Sequence, residues 1–546
     1  MCGIFCFWGK NPPKQLLPVT EAFKSLQHRG PDNTQLIPTS DSGNNAALLG
    51  FHRLAIMDTS PKGNQPFVTK EVSLACNGEI YNSKQLRAQY PDYDYQSDSD
   101  CEVIIPLYLD RGIEGAARAL DGEFAFVLYD HRDKKVYAAR DPIGIRPLFY
   151  GLPQDHLKVN PDDFAIAFAS EAKALSSFCD DVKPFLPDCF YDGQGVRLRR
   201  IDRITHQRPI KDTLPNYLTE IRTKFIEGVR KRLTSDVPLG FLLSGGLDSS
   251  LVCSIATKLL DEPITTFSIG IEENPIDVKY AKEVADYLGS THHEVLFTEQ
   301  EVLDVLDELI YHLESWDITT VRASVGMYLL CKYIREKTDI KVVLTGEVSD
   351  ELFGYKYTDF APSGEEFQKE AIKRVEELHV YDVLRADRCI AAHGLEARVP
   401  FSDRDFVRYV MAIPGDIKMN TYGIEKALLR NAFHPDSAKE EFLKDNILFR
   451  AKAAFSDAVG HRMVDLLKET AEAKYTEADL KNAEKRYPHC PPFTKESLMY
   501  REIFAKHFPN QDKLIPDYWM PNKSWENCDV SDPSARALPN YGKSGN

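Results

Sequence analysis

The rhythm of apolar residues changes once along this chain, near residue 200, and that change rules out one architecture repeated throughout. Before it, compact apolar or alternating runs (CGIFCFW, ALLGFHRLAIMD, VSLACNGEIY, FAFVLYD, KVYAAR and AIAFAS) are divided by Gly, Asp, Asn and Pro. Runs of that length and spacing read as strands. Helical stretches are expected at roughly 19–28 and 100–111, the second placing Val103, Ile104, Leu107 and Tyr108 on one face. Strands in blocks with helices laid against them indicate a layered α+β domain. The polar, aperiodic RIDRITHQRPIKDTLPN (200–216) reads as a linker. Beyond it strand and helix alternate. Leu218, Ile221, Phe225, Val229 and Leu233 recur at helical spacing, followed by strand PLGFLL, helix DSSLVCSIATKLL and strand PITTFSIG. A helix over 277–289, strand HHEVLF, two longer helices and strand IKVVL come next. This alternation predicts an α/β doubly wound parallel sheet. After about residue 360 the pattern is chiefly helical, and the last twenty or so residues read as weakly ordered. The expected domains are 1–205 and 206–546.

A chain of 546 residues exceeds one ordinary core, which supports that division. The formal charge of −16 gives no support to a nucleic-acid or anionic-membrane surface. No run approaches the ~20 apolar residues of a membrane span, and the apolar start, ending by Trp8, lacks the form of a signal peptide. Eleven scattered cysteines read as free thiols of a reducing compartment, so the cytosol is expected and the sequon Asn522-Lys523-Ser524 is coincidental.

Two strings end predicted strands of the second half. LLSGGLDSS (242–250) offers glycines that admit an anion close to the backbone, a helix N-terminus behind them, and the hydroxyls of Ser244, Ser249 and Ser250. Asp248 beside phosphates implies a divalent cation. The string is neither GxxxxGK[ST] nor GxGxxG. VVLTGEVSDE (342–351) puts Thr345, Gly346, Glu347 and Asp350 at the same carboxyl edge, where open parallel sheets bind ligands.

At the other end stands Cys2. If Met1 is removed, its α-amine has a pKa of about 7.7–8.0, and thiol and base share one residue. Arg53 suits a substrate carboxylate, Asn77 and the Gly78 N–H suit an oxyanion, and Asp100 suits an ammonium. Each also has a bland reading: a surface ion pair, a turn, a helix cap. Together they fit glutamine. The alternating acids of 92–103 resemble a calcium loop, but Ser97 replaces its glycine and Val103 its final glutamate, so calcium is rejected.

MCGIF, HRGPD, NGEIYN, LLSGGLDSS, DITTVRASVGMYL, HGLEARVPF, AFSDAVG and DPSARAL jointly resemble the glutamine-hydrolysing asparagine synthetases, over nearly the whole chain. The LLSGGLDSS loop by itself is similar to that of the ATP pyrophosphatase superfamily. The resemblance implies an αββα N-terminal-nucleophile sandwich followed by the nucleotide-binding sheet with a helical C-terminal portion. It implies that Cys2 attacks the glutamine amide with Asn77 and Gly78 as oxyanion donors, and that Arg53, Leu54, Ala55, Ile56, Met57, Asn77, Gly78, Glu79 and Asp100 bind glutamine. ATP would lie against Leu242, Ser244, Gly245, Gly246, Asp248, Ser249, Ser250, Ile269, Thr345, Gly346 and Lys452, with Asp248 and Asp350 holding Mg²⁺. Aspartate, oriented by Thr319, Thr320 and Arg322, would become β-aspartyl-AMP, and ammonia crossing an internal tunnel would displace AMP with Glu347 as proton acceptor. The partners implied are small molecules, with no nucleic acid and no membrane; a homodimer is the assembly carried forward.

The family pattern SGEGSDE reads TGEVSDE here. Val348 replaces a glycine, which matters if the position needs φ > 0. FGYKY is one residue short, Ala458 replaces a usual glycine, and Phe449 a usual tryptophan. The expectation is an active enzyme. Three alternatives stay open: an amidotransferase adenylating a different carboxylate, a glutaminase with an impaired synthetase half, and a non-catalytic protein that binds both ligands.

Overall fold

The computed structural model describes residues 1–10, 17–39, 46–154, 164–272, 276–421, 423–450 and 461–541. The chain forms two compact units: Met1–Arg203 with Thr234–Val237 and Ala391–Glu396, and Ile204–Leu233, Pro238–Ile390 and Ala397–Asn546.

The first unit is built on two six-stranded sheets. One contains β1 (Gly3–Gly9), β2 (Asn33–Pro38), β3 (Ala46–Arg53), β8 (Phe149–Pro153), β9 (Ile166–Ala169) and β10 (Cys179–Pro184), in the order β10-β8-β9-β1-β3-β2. The other contains β4 (Phe67–Val68), β5 (Val72–Ile80), β6 (Gly122–Asp130), β7 (Lys135–Arg140), β11 (Cys189–Tyr191) and β12 (Leu198–Arg200), in the order β12-β11-β7-β6-β5-β4. Strand alternation gives each sheet two faces. Ile4, Cys6 and Trp8 of β1 meet Ala75, Ala125 and Val127 of the other sheet in one buried cluster, so the sheets stack face to face. Leu74, Cys76, Phe126 and Leu128 turn the opposite way, onto Ile104, Leu107 and Tyr108 of the helix Ile104–Ala119. On the far side of the first sheet Phe23, from the helix Leu17–Lys24, packs on Phe5 with ring centroids 5.9 Å apart.

Both expected helices of this unit exist with shifted ends. The first stops at Lys24 and continues as a 3-10 turn, Gln27–Arg29. The second opens as a 3-10 turn, Asp100–Val103, capped by the Ser99 hydroxyl, then runs as helix to Ala119, well past 111. Strands β2, β4, β8, β10, β11 and β12 escaped the sequence reading; CDDVKP of β10, half of it exposed, has no apolar signature to read.

The second unit holds a five-stranded sheet of β13 (Leu239–Leu242), β14 (Thr265–Ile271), β15 (Thr291–Phe297), β16 (Val342–Leu344) and β17 (Glu396–Arg398), in the order β15-β14-β13-β16-β17. β13 pairs in parallel with β14 and β16, and β14 with β15. The helices Leu247–Leu259, Ile276–Leu288, Glu299–Leu313 and Ile318–Lys337 connect them as the alternation predicts. Strand order runs outward from β13 in one direction through β14 and β15, and in the other through β16. The carboxyl ends of β13 and β16 therefore flank the topological switch point, where ligands bind such sheets.

The portion after 360 is chiefly helical as expected and also contributes one short strand, β17, because the Arg398 carbonyl accepts the Thr345 N–H at 3.0 Å and extends the sheet. One expectation needs correction here. The C-terminal stretch is not loose through residue 541: Trp525, Cys528 and Leu538 are buried there.

In the first unit Asp188 is buried at a left-handed φ of 56°, with Oδ1 accepting from the Asp202 N–H and Oδ2 without a hydrogen bond. Burial pushes its carboxyl up to about 7. Its folded pKa lies above its unfolded one, so its contribution is favourable at low pH and is lost as pH rises from about 4 to about 7. Asparagine keeps the acceptor and tolerates the φ. The urea midpoint of Asp188→Asn, relative to the native chain, should rise between pH 4 and 7 and then level off; a constant difference would refute the assignment.

Candidate active sites

In the first unit, Cys2 lies one residue before β1, at the centre of its sheet. Its backbone N–H donates to Asn77 Oδ1 at 2.9 Å, across to β5 of the facing sheet. That bond fixes which end of the Asn77 amide faces Cys2. The other end, Nδ2, is buried without a hydrogen-bond partner, a donor held ready at a polar cost. The Leu54 N–H donates to Cys2 Sγ at 3.4 Å, and the Arg29 Nε to the Cys2 carbonyl at 2.9 Å. Burial pushes the Cys2 thiol above its ordinary value. Met1 precedes it, its ammonium donating to the Leu395 carbonyl at 2.9 Å and lowered by burial to about 5. With Met1 attached, the Cys2 nitrogen is an amide; only its removal makes it an amine.

Gly78 is placed by strand geometry. Phe124, opposite it on β6, spends its N–H and C=O on Asp141, so the Gly78–Phe124 pair is not hydrogen-bonded and the polar groups of Gly78 turn to the other edge of β5. Along that edge the Gln65 side chain caps both polar groups of Cys76, Cys101 Sγ meets the Gly78 carbonyl, and Asp100 accepts the Ile80 N–H at 2.6 Å. The Gly78 N–H is the next donor in that row. A Cβ at Gly78 would stand 2.5 Å from the Glu123 carbonyl, so glycine is required by the neighbouring strand.

The remaining glutamine candidates sort unevenly. Leu54, Ala55 and Ile56 are buried, and Met57 and Glu79 frame the same turn and strand. Arg53 is not an open guanidinium: Nη1 donates to the Ser60 carbonyl and Asn64 Oδ1 at 2.7 Å each, and Nη2 to the Met57 and Asp58 carbonyls. It organises the 57–64 loop in this state.

In the second unit a cavity of about 270 Å³ opens at the switch point. Gly245, at φ +70°, allows the tight turn after β13; a Cβ there would meet the Ala281 N at 2.5 Å. Ser244 and Ser249 hydroxyls bond one another at 3.0 Å, and the Gly246 N–H donates to Ser244 Oγ. The helix Leu247–Leu259 thus begins with its N-terminal N–H groups facing the cavity, an anion site in form. The second loop closes on the first: Ser349 Oγ donates to Asp248 Oδ1 at 2.7 Å, and a Cβ on Gly346 would stand 2.8 Å from the Ser249 N. Leu242, Ser244, Gly246, Asp248, Ser249 and Ile269 line the cavity, with Thr345, Gly346, Glu347 and Asp350 opposite. Gly245 and Ser250 lie behind the lining. The Thr345 and Ser250 hydroxyls are buried without hydrogen-bond partners. Lys452, Ala458 and the rest of AFSDAVG lie outside the described residues. Phe449 packs against His434.

Glu347 Oε2 accepts from Arg385 Nη2 at 2.7 Å, yet its pKa is raised, by burial first and then by Asp382 and Asp248 against the pull of Arg385. Glu351, hydrogen-bonded by the Tyr355 hydroxyl, is raised by burial and by Asp382.

The aspartate candidates fare worse. Thr319 lines the cavity, but Thr320 does not; its backbone N–H and its hydroxyl both donate at 2.8 Å to the carboxylate of Asp317, the N-cap of the helix Ile318–Lys337. Arg322 reaches the wall with its guanidinium spent on Glu496 and Asp532. The guanidinium with donors to spare is Arg385, whose Nε and Nη1 are buried without partners on the same wall. Sequence reasoning missed Arg385, Asp382 and Lys426; an Asp and an Arg three apart on a helix give no signal of a cavity. It also missed the tail: Pro533, Ser534, Ala535, Leu538 and Tyr541 line the cavity.

Asp248 and Asp350 suit a hard cation in kind, being two part-exposed carboxylates beside a phosphate-type loop, and magnesium is commonly held by one or two carboxylates plus phosphates.

Val348 has φ +80° and ψ −15°, the left-handed region that a β-branched residue rarely enters, and its side chain is buried against the cavity. Alanine at 348 keeps the Cβ strain and glycine removes it. Val348→Gly should therefore melt above Val348→Ala, by about 1–2 kcal/mol of stability. The reverse order would mean that the loop relaxes freely.

Comparison with known proteins gives consistent matches. The model of the Asparagine synthase family matches residues 220–366 and 360–532, and that of the Glutamine amidotransferase domain matches 1–187. The chain is 41% identical to a glutamine-hydrolysing asparagine synthetase of Gallus gallus, covering 99% of both chains. It is 42% identical to a probable one of Acanthamoeba polyphaga mimivirus, covering 99% of this chain and all of that one. With the Homo sapiens enzyme it shares 40% identity over 99% of both.

Proposed function

This chain belongs to the family of glutamine-hydrolysing asparagine synthetases, and from that premise we infer how its residues divide the reaction. It is a ligase that makes asparagine from aspartate with glutamine as nitrogen donor and ATP as co-substrate. Residues 1–205 form the glutaminase, an N-terminal-nucleophile αββα sandwich, and 206–546 the synthetase.

Once Met1 is removed, the Cys2 amine takes the thiol proton and the sulfur attacks the glutamine amide carbon. Asn77 Nδ2 and the Gly78 N–H hold the oxyanion, the proton leaves with ammonia, and water releases glutamate from the thioester. Asp100, Glu79 of β5 and the Arg53-ordered loop, through Met57, hold the amino-acid end. In the synthetase the aspartate β-carboxylate attacks the α-phosphorus of ATP and pyrophosphate leaves. The LLSGGLDSS loop and Thr345-Gly346 hold the phosphates, Ile269 and Leu242 the nucleoside, and Lys452 is a further phosphate contact. Asp248 and Asp350 would hold magnesium, which would supply charge neutralisation for the pyrophosphate. Ammonia then attacks the acyl carbon of β-aspartyl-AMP, AMP leaves, and Glu347 takes the proton; its raised pKa strengthens it as a base. Thr319 and the spare donors of Arg385 suit the aspartate carboxylate better than Arg322 does, because Arg322 is paired twice. We take the enzyme to be a homodimer of the cytosol, on the resemblance and on cysteines that are all free.

The observation that carries the reading is a match along 99% of the chain, joined to an orphaned Asn77 amide beside Cys2. Asparagine and pyrophosphate formation from aspartate and MgATP, with glutamine or with ammonium, tests it. The native chain should form product with both donors, and Cys2→Ala with ammonium alone. Product from neither, with glutamine still hydrolysed, would sink the synthetase assignment and favour a different acceptor carboxylate or an impairment at Val348.

Glu347 also predicts a pH dependence. It accepts a proton only when ionised, and burial raises the pH at which that happens. The share of released ammonia captured as asparagine should fall as pH drops through a value above the ordinary carboxylate range. A share that stays flat down to that range would exclude Glu347 as the acceptor.

A further inference from the structure

Lys426 was singled out by nothing in the sequence. It sits in the left-handed region, φ +57°, immediately before the helix Ala427–Phe433, and its side chain is only 1% exposed. Its Nζ lies 2.7 Å from Asp248 Oδ2, 2.7 Å from Asp350 Oδ1 and 2.9 Å from Ser349 Oγ. One ammonium thus joins both phosphate-side loops, at the same two carboxylates that the reading above gives to the metal. The neighbouring cations differ. Arg430 spends its guanidinium on the Glu425 and Leu448 carbonyls, and Lys356 is paired with Glu425.

Two carboxylates facing an incoming triphosphate would repel it, and leaving them unpaired beside each other is costly. A lysine ammonium is a compact charge with three donors, able to exchange one acceptor for another without moving its stem. We propose that Lys426 occupies the metal's place in the substrate-free site and becomes a direct contact of the pyrophosphate moiety when MgATP binds. The metal takes the oxygens of Asp248 and Asp350; the ammonium, held by its buried stem and by Ser349, turns its freed donors to the phosphate oxygens. Lys426 is then a binding residue for the nucleotide and a competitor of the bare cation. This rests on the ATP-site reading above.

The test uses the full-length protein and two probes: Mn²⁺ without nucleotide, followed by electron paramagnetic resonance, and MgATP, followed by calorimetry. In Lys426→Met the competitor is gone and so is the phosphate contact. Mn²⁺ should bind more tightly than to the native chain, and MgATP more weakly by about 10- to 100-fold. A merely structural lysine would weaken both on removal, so loss of both, or unchanged affinity for either, overturns the proposal. If Lys426→Met does not fold, Lys426→Arg retains the neutralising charge while its planar fork cannot repeat the three contacts. It should fold and bind MgATP at least about tenfold more weakly; native affinity would overturn the proposal. Failure of the native chain to bind MgATP would instead refute the ATP-site reading itself.

Discussion

The closure of two loops on each other at the carboxyl edge of the parallel sheet is the constraint on which the synthetase half depends. Ser349 donates to Asp248, and Gly346 lies so near the Ser249 N–H that no side chain fits. The loops follow β13 and β16, neighbours in the sheet but a hundred residues apart in the chain. Their approach turns two separate turns into one anion cradle over a helix N-terminus. It also concentrates negative charge: Asp248, Asp350, Glu347, Glu351 and Asp382 all line one cavity. Burial and mutual repulsion raise Glu347 and Glu351, and the site is tenable because Lys426 and Arg385 are set among them. The same electrostatics make the pocket receptive to a cation and leave a carboxylate basic enough to take a proton.

The glutaminase half solves a different problem, holding polar donors ready in a dry place. Stacking two sheets buries the start of β1 against β5, where water cannot satisfy Asn77. The bond from the Cys2 nitrogen orients the amide so that its unsatisfied end is a donor, the polarity an oxyanion needs. Strand pairing sends the Gly78 N–H to the same edge. Rigidity here comes from backbone hydrogen bonding and packing, and the Arg53 clamp adds an ordered loop beside it.

Legibility followed the physics of each signal. Strands buried on both faces, such as β1, β6 and β14, are continuous apolar runs and were readable. Short or half-exposed strands, such as β10, β12 and β17, exist because a partner strand offers a ladder, and their own residues carry no trace of it. Both phosphate-side loops were readable because glycine and serine spacing is a local backbone requirement. Val348 was readable as an anomaly, and its φ of +80° is the strain that a missing glycine implies. The aspartate contacts were the weakest part. Thr320 and Arg322 stand in a conspicuous string, yet one donates to the helix-capping Asp317 and the other neutralises Glu496 and Asp532.

The sequence by itself determined the two-part organisation, the parallel sheet and the glycine-bearing loops, since each follows from periodicity, composition or a turn's local demands. Tertiary structure alone decided which charged side chains face the cavity. Lys426, Arg385 and the tail residues near Ser534 come from distant segments with no common spacing, and only the folded chain sets them against Asp248 and Glu347. Whether a buried charge is a ligand contact or an internal salt bridge depends on its neighbours in space, and no local pattern records them.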